Sequence, residues 1–161
     1  MGFRRMIEVA IPGFKPLCLE HLVLDYNGTL AIDGEPIDGV GKRLNDLAEH
    51  LRVHVITADT FGKAKARLKN IECNLIILQG EDHHERKLAF VNTLNAQRTV
   101  CIGNGRNDRR MLSAAALGIG VIQQEGASSE ALLAAHLVVK DINSALDILL
   151  NPKRLVATLR S

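Results

Sequence analysis

Short apolar segments alternate along the chain with longer segments of mixed polarity. The apolar segments are largely continuous, which is typical of strands buried on both faces of a parallel sheet. We therefore predict strands at 21–25, 53–57, 74–78, 99–102, 119–122 and 137–139. The segments between them have helical character, which predicts helices near 39–51, 61–69, 83–95, 107–116, 128–135 and 142–150.

This regular alternation of strands and helices indicates the fold class. It predicts a single α/β domain over residues 1–161, three-layered and Rossmann-like, with a central and mainly parallel sheet. The opening segment MIEVAIP is expected to add an edge strand, which Pro12 and Pro16 end. Residues 30–38 contain the turn pair Asp33-Gly34 and predict a small hairpin flap, and the tail after Pro152 regains helical character.

Composition narrows the functional classes. Hydrophobic residues make up 47% of the chain but aromatic residues only 3%, so the core must be aliphatic. A net charge of +2, no Trp and one Tyr argue against nucleic acid as a partner. The sequence contains no apolar stretch of the ~20 residues that span a bilayer, and its start does not resemble a signal peptide. We expect a cytoplasmic protein without a membrane partner.

The cysteines favour a structural role in a reducing setting. Cys18, Cys73 and Cys101 are far apart and form no C-x-x-C pair, so neither a zinc site nor a disulfide framework is indicated. Cys73 and Cys101 stand in apolar segments and are expected to be small core residues.

The segment LVLDYNGTL at 22–30 carries the most chemical information. Its apolar strand ends in Asp25, which places a carboxylate at the edge where open α/β sheets bind ligands. Gly28 allows a sharp turn and a close approach of the backbone to a ligand. A carboxylate held there can attack phosphorus and carry the phosphoryl group as an aspartyl-phosphate. The alternative is an ordinary Asn-Gly turn in which Asp25 acts only as a cap.

Other polar groups follow the remaining predicted strands. Thr57 ends one strand and precedes Ala58 and Asp59, and Lys87 lies in a helix-like segment. The strand TVCIG continues into GNGRND at 103–108. Because parallel strand ends converge on one edge, a carboxylate, a hydroxyl, an ammonium and a second carboxylate could meet there. Phosphoryl transfer requires this set of groups together with Mg²⁺.

These four segments, in this order, resemble the motifs of haloacid dehalogenase-like phosphohydrolases. GNGRND followed by RRML resembles the phosphorylation domain of P-type ATPases, and the chain looks like the small soluble P-type-ATPase-like branch of that superfamily. The resemblance implies catalytic roles for Asp25, the nucleophile, and for Asn27, Thr57 and Lys87. It implies phosphate binding by Tyr26, Gly28, Thr57, Ala58 and Lys87. It also implies Mg²⁺ binding by Asp25, the Asn27 carbonyl, Asn104 and Asp108, where Asp108 supports the coordination shell of the metal.

Two positions depart from the phosphatase pattern. Asn27 stands where phosphatases of this superfamily have the Asp that protonates the leaving group, a contribution of roughly 10²–10⁴ in rate. P-type ATPases also lack a carboxylate there. Asn104 replaces the usual Asp ligand, and a neutral amide should bind Mg²⁺ less well. The sequence therefore predicts a Mg²⁺-dependent phosphatase of reduced activity, with a non-catalytic phosphate-binding or regulatory domain as the alternative.

A third interpretation, a receiver-type phosphoacceptor domain, ranks last. In receivers the acceptor Asp follows a middle strand, whereas Asp25 follows the first full strand, and GNGRND has no counterpart there. The segments between the motifs are too short for a cap domain, so the site should be open. An open site suits a phosphorylated small molecule or macromolecule, or a second copy of the chain acting as a lid.

Several residues have structural alternatives. Lys87 could be a solvated helix lysine. The next helix could be capped by Thr57, Asp59 or Thr60, and Asp108 could likewise be a helix cap. His83 and His84 suggest a metal pair, but adjacent helical residues point in different directions, so an exposed first turn is favoured. Arg106, Arg109 and Arg110 form either a solvated face or a group that recognises a substrate anion.

Overall fold

A computed structural model describes residues 4–58 and 62–161. The strands are β1 (Ile7–Val9), β2 (Leu17–Leu19), β3 (His21–Asp25), β4 (Ala31–Ile32), β5 (Glu35–Pro36), β6 (Arg52–Thr57), β7 (Asn74–Ile77), β8 (Thr99–Gly103), β9 (Leu117–Val121) and β10 (Leu137–Val139). The helices are α1 (Val40–Leu47), α2 (Lys63–Arg67), α3 (His83–Leu94), α4 (Arg109–Ala114), α5 (Ser129–Ala134), α6 (Ile142–Leu150) and α7 (Lys153–Leu159). Short 3₁₀ turns cover Ala96–Arg98 and Arg106–Asp108.

The central sheet confirms the predicted α/β fold. In the described part of the chain it has six strands, all parallel, in the order β10-β9-β8-β3-β6-β7. Strand β3 lies between β6 and β8, and its register pairs Asp25 with Ile56. The carboxylate of Asp25 therefore lies near the middle of the carboxyl edge of the sheet.

Both faces of the sheet are covered, which explains the continuous apolar segments. Leu22 and Leu24 pack into one core together with α1, α6 and α7, while Val23 packs on the opposite face with α3, α4 and α5. Consecutive residues of one strand thus enter different cores, so none of them can be polar without cost. Cys101 is buried, as predicted, whereas Cys73 is only partly buried against the first core.

The predicted edge strand at the start of the chain was wrong in its placement. Residues Ile7–Val9 are extended, but they pair antiparallel with β2 as a separate two-stranded sheet. The backbone turns back beyond Ile11, whose carbonyl accepts from the Phe14 N–H at 3.0 Å. Val9 is buried against the main core, so the hairpin covers the body of the domain and does not extend its sheet.

The predicted flap and tail helix are confirmed. Strands β4 and β5 form an antiparallel hairpin, and its turn residues Asp33 and Gly34 both have positive φ, 52° and 81°. This is the geometry of the primed turns that match the twist of two-residue hairpins. The predicted helix at 61–69 is shorter than expected, at Lys63–Arg67. Asp59 and Thr60, the alternative caps of this helix, lie outside the described residues.

Within the described residues, none of the helices combines the length and the apolar character that crossing a membrane would require.

Candidate active site

The turn after β3 holds Asp25 at the sheet edge. The carbonyl oxygen of Tyr26 accepts the backbone N–H groups of Thr29, Leu30 and Ala31, at 3.3, 3.0 and 3.0 Å. Gly28 has φ +78°, a left-handed conformation that glycine adopts without strain. Asp25 is only 9% exposed, although it lies at the edge of the sheet.

Lys87 connects three acceptors at this edge. Its Nζ donates to Asp25 Oδ1 at 3.0 Å, to Asp108 Oδ1 at 2.7 Å and to Asn107 Oδ1 at 3.1 Å. The residue is 3% exposed, although it lies in the second turn of α3. The alternative of a solvated helix lysine is therefore wrong for Lys87, because its ammonium is buried and contacts two carboxylates.

The charges of this cluster do not balance. Burial, and then the Asp108 carboxylate, raises the pKa of Asp25 to about 7, against the opposing effect of Lys87. Burial opposes the charge of Lys87, but the carboxylates of Asp25 and Asp108 outweigh burial and raise its pKa. One ammonium thus faces two buried carboxylates, and the remaining negative charge favours a further cation.

Asp108 is fully buried and uses both carboxylate oxygens. Oδ1 accepts from Lys87, while Oδ2 accepts from the backbone N–H groups of Asn104 at 3.1 Å and Gly105 at 2.9 Å. It therefore both fixes the GNGRND loop and positions Lys87, whereas its side chain makes no capping hydrogen bond to α4. With both oxygens engaged, Asp108 is suited to supporting a metal site rather than to binding a metal directly.

Asn104 and Glu125 meet in front of Gly28. A Cβ atom on Gly28 would lie 2.7 Å from Asn104 Nδ2 and 2.7 Å from Glu125 Oε2, so both side chains reach the space that glycine leaves empty. The Asn104 amide nitrogen donates to the Gly126 carbonyl at 3.1 Å. Asn104 Oδ1 lies 3.0 Å from the same Cβ position and 3.5 Å from Thr29 Oγ1.

The segment after β9 fastens the Asp25 turn to the rest of the site. Gln123 Nε2 donates to the carbonyls of Gly28 at 2.9 Å and Thr29 at 2.8 Å, and its Oε1 accepts from Ile142 N–H at 3.0 Å. A cavity of about 680 Å³ separates this segment from the flap. It is lined by Ile32, Glu35, Pro36, Ile37, Asp38, Ile122, Gln123, Gln124, Lys140 and Asp141.

The other predicted site residues lie on the same edge with different surroundings. Thr57 is buried at the end of β6, Ala58 is exposed immediately after it, and the Asn27 side chain is exposed in the turn. Tyr26 is buried: its N–H donates to Ile56 at 3.0 Å and its hydroxyl to Gly34 at 2.9 Å. Tyr26 thus anchors the flap, and its phosphate-binding role stays a prediction.

The charged residues left open by the sequence form ion pairs. Arg106 and Arg109 both contact Glu130, at 3.0 and 3.4 Å, and Arg110 pairs with Glu85. His83 Nε2 lies 2.9 Å from the Gly80 carbonyl in an exposed first turn. These arginines are therefore engaged in surface pairs, and the histidine occupies the structural position that the sequence favoured.

Sequence reasoning missed Asn107, Gln123 and Glu125 as members of the site. Asn107 belongs to the GNGRND motif, so its presence there was the available signal. Gln123 and Glu125 carry no motif, and only the parallel order of β3, β8 and β9 brings their segment beside Gly28.

The oxygen atoms at this edge fit a hard divalent cation. Asp25 offers a carboxylate, Asn27 a backbone carbonyl and Asn104 an amide oxygen, all of which suit Mg²⁺. Among the described residues there is no cluster of three or more His, Cys, Asp or Glu that could hold a metal ion. A cation would therefore depend on neutral oxygens beside Asp25, with Glu125 as the nearby source of additional negative charge.

Comparison with known proteins gives relatives and a fold. No protein-family model matches the chain. An uncharacterized protein of Methanocaldococcus jannaschii is 55% identical over 64 residues, which is 40% of this chain and 69% of that protein. A phospholipid-transporting ATPase of Saccharomyces cerevisiae is 27% identical over 132 residues, which is 82% of this chain but 10% of the ATPase.

Solved structures share the fold at low identity. The cobalt-bound deoxy-D-mannose-octulosonate 8-phosphate phosphatase of Haemophilus influenzae has a TM-score of 0.70 at 13% identity, over 89% of this chain and 94% of that one. A 3-deoxy-D-manno-octulosonate 8-phosphate phosphatase of Moraxella catarrhalis, in complex with magnesium and phosphate ions, has a TM-score of 0.63 at 16% identity. The match covers 88% of this chain and 94% of that one. A zinc-transporting PIB-type ATPase has a TM-score of 0.61 at 21% identity, over 76% of this chain and 20% of that one.

Two of these neighbours are phosphatases by name, and the chain shares their fold. The chain belongs to the family of the uncharacterized archaeal protein and has the fold of haloacid dehalogenase-like hydrolases, the fold that the resemblance in its sequence implies.

Proposed function

We propose that this protein is a divalent-cation-dependent phosphohydrolase that transfers the phosphoryl group of a phosphate monoester to Asp25 and then to water. The observation that carries the proposal is the contact between Lys87 and both Asp25 and Asp108 at the carboxyl edge of the sheet. It supplies a nucleophile and a fixed positive charge at one point. Neighbours of the same fold that act on sugar-acid phosphates support a phosphate monoester as the substrate class.

Each residue of the site would have its own role in phosphoryl transfer. Asp25 attacks phosphorus from its place at the end of β3, while Lys87 and the Thr57 hydroxyl stabilise the phosphoryl oxygens as negative charge spreads over them. Asp108 keeps Lys87 in place and closes the GNGRND loop. Because Asn27 cannot supply a proton, a leaving group must depart as an anion or take its proton from water.

Asp25, the Asn27 carbonyl and Asn104 would hold the cation, and Glu125 would add the negative charge that Asn104 lacks. Mg²⁺ is the expected ion, and when bound it would neutralise the phosphate charge that Asp25 must approach. Support for this assignment comes from the space in front of Gly28, which the side chains of Asn104 and Glu125 both reach.

Asp25→Asn tests the proposal most directly. The substitution keeps the size of the side chain and one acceptor oxygen but removes the nucleophile, so both phosphatase turnover and trapping by beryllium fluoride in the presence of Mg²⁺ should be lost. Asp147→Asn is a control, since Asp147 pairs with Arg43 away from the site. Appreciable turnover by Asp25→Asn would exclude the covalent route.

The second candidate is a non-catalytic phosphate-binding or regulatory domain, favoured by the two amides at Asn27 and Asn104. It would bind phosphate and beryllium fluoride at Asp25 but show no turnover on freshly purified protein. Fresh protein matters because both asparagines precede glycine, a context in which deamidation would create Asp.

A further inference from the structure

A second polar cavity lies at the opposite edge of the sheet. Its volume is about 490 Å³, within the range typical of small-molecule sites. It is lined by Arg4, Arg5, Glu20, His21 and Arg52, and we refer to it as the basal cavity. His21 and Arg52 begin β3 and β6 and are paired in register, so the basal cavity opens at the amino ends of these strands. The length of β3 separates it from Asp25 by about 13 Å.

Positive charge exceeds negative charge around the basal cavity. Glu20 is shared by two guanidinium groups, since Arg4 contacts its Oε1 and Arg98 Nη1 lies 3.1 Å from the same oxygen. Arg5 pairs with Glu72 at 3.2 Å. Each carboxylate here is therefore already neutralised by at least one arginine.

Arg52 adds a charge that none of the described carboxylates offsets. Its backbone N–H donates to the Glu20 carbonyl at 2.9 Å, which fixes the start of β6. Its guanidinium forms no ion pair with any residue of the described part of the chain. A guanidinium provides a planar set of donors that matches two oxygens of a phosphate.

A chain of side-chain hydrogen bonds makes His21 a further donor. The Asn74 amide nitrogen, which can only donate, lies 3.3 Å from His54 Nδ1. The proton of His54 is then on Nε2, which donates to His21 Nδ1 at 3.1 Å. This leaves the N–H of His21 on Nε2, on the side of the ring away from His54.

Neutral imidazoles agree with this arrangement. Burial, together with the charges of His21 and Arg52, lowers the pKa of His54 to about 4. Burial and Arg52 also lower the pKa of His21, although Glu20 opposes them. The tautomers that the hydrogen bonds fix are thus the forms present at neutral pH, and the positive charge of the basal cavity comes from its arginines.

We propose that the basal cavity is a second anion site that binds the phosphate group of a small molecule through Arg52, Arg5 and the Nε2–H of His21. Charge and donor geometry specify an oxyanion, and the volume admits an organic phosphate as well as free phosphate. The site does not depend on the chemistry at Asp25, because no residue is shared between the two.

Phosphate titration followed by NMR of the imidazole C–H signals tests the proposal. Inorganic phosphate and glycerol 3-phosphate are the probes, and the rings of His21 and His54 report on the basal cavity. We expect saturable shifts of both rings, with Arg52→Gln weakening phosphate binding by about tenfold and Arg5→Gln weakening it as well. Arg154→Gln is the matched control, an exposed arginine on α7 with no ion pair to a described residue.

The outcomes separate this site from the one at Asp25. Phosphate bound near Lys87 would leave the His21 and His54 signals unchanged, and His136 serves as an internal reference. Tighter binding of the ester identifies an organic phosphate as the ligand, and equal binding identifies free phosphate. Unshifted rings at millimolar phosphate, or equal titrations for the native protein and Arg52→Gln, would overturn the proposal.

Discussion

Among single residues, Asn27 is the one that limits the proposed mechanism, because an amide is not a proton donor for catalysis. Its side chain is exposed next to the buried Asp25, and in the proposed mechanism an amide there cannot donate the proton that a leaving group needs. We expect Asn27→Asp to raise turnover, most for poor leaving groups such as alkyl phosphates, by up to about 10²-fold. The measurement is the dependence of kcat/KM on the leaving-group pKa.

The native protein should show the steeper dependence, because good leaving groups such as nitrophenolate need no proton. Asn70→Asp makes the same change at an exposed position before β7 and should leave the dependence unaltered. A slower Asn27→Asp enzyme with the same dependence would mean that the amide has a role other than a missing acid.

For Mg²⁺ binding, a carboxylate at position 104 should be able to replace the carboxylate of Glu125. Both side chains reach the empty space at Gly28, so Glu125→Gln should weaken Mg²⁺ binding and Asn104→Asp should strengthen it, each by roughly tenfold. The double variant should regain approximately native affinity. Calorimetric Mg²⁺ titration measures this directly, and Glu49→Gln, a change on an exposed residue at the end of α1, is the control.

An unchanged Mg²⁺ affinity in Glu125→Gln would remove Glu125 from the cation site without affecting the case for Asp25. If the native protein binds no divalent cation at all, the proposed function itself fails.

The residues that sequence could identify are those inside motifs. Asp25, Thr57, Lys87 and Asp108 were predicted from strand ends and motif order, and they do lie on one edge. Glu125 could not be found in this way, because its place beside Gly28 follows from the packing of two loops that are remote in sequence.

At the scale of elements, the Asp25 turn differs from the flap turn although both contain a glycine with positive φ. Gly28→Ala and Gly34→Ala should each cost about 1 kcal/mol of stability, because alanine is strained in the left-handed region. Only at Gly28 would the new methyl group meet side chains, 2.7 Å from Asn104 and Glu125, whereas nothing lies within 4 Å at Gly34.

Gly28→Ala should therefore lose Mg²⁺ binding and activity in addition to stability, while Gly34→Ala should lose stability alone. Urea denaturation and calorimetric titration on the same samples separate the two effects. Equal Mg²⁺ affinities in the two variants would show that the space in front of Gly28 is not part of the cation site.

Element prediction succeeded where burial on both faces gave a continuous apolar pattern, as in β3. The prediction was wrong about the pairing of the opening segment. Its residues have a strand pattern, but that pattern does not specify which strand they pair with. Extended residues such as Ile7–Val9 can join any available edge, and the turn beyond Ile11 selects β2.

For the molecule as a whole, the buried His21–His54 pair predicts sensitivity to acid. The pKa of His54 falls from 6.5 to about 4 on folding, so between these values the unfolded chain binds more protons. The contribution of His54 is therefore complete above about pH 6.5 and is lost as pH falls toward 4, by roughly 2–3 kcal/mol.

Chemical denaturation at about pH 7 and about pH 4.5 measures this loss. His54→Gln should reduce the difference between the two values, while His50→Gln, at an exposed position, should not. A native protein equally stable at both values would show that the histidine pair becomes protonated without cost.

The strand order has a consequence for how the protein is made. Among the strands of the central sheet, β3, β6 and β7 are synthesised first and form one half of it. Strand β8, the other neighbour of β3, follows more than seventy residues after Asp25. Until β8 is made, one edge of β3 is unpaired, and Leu22, Val23 and Leu24 lack the packing partners that later segments supply. Bare apolar edges recruit other chains, so the newly made amino-terminal half is the stage most exposed to aggregation. We therefore expect the yield of folded protein to depend on chaperone supply and on the rate of synthesis.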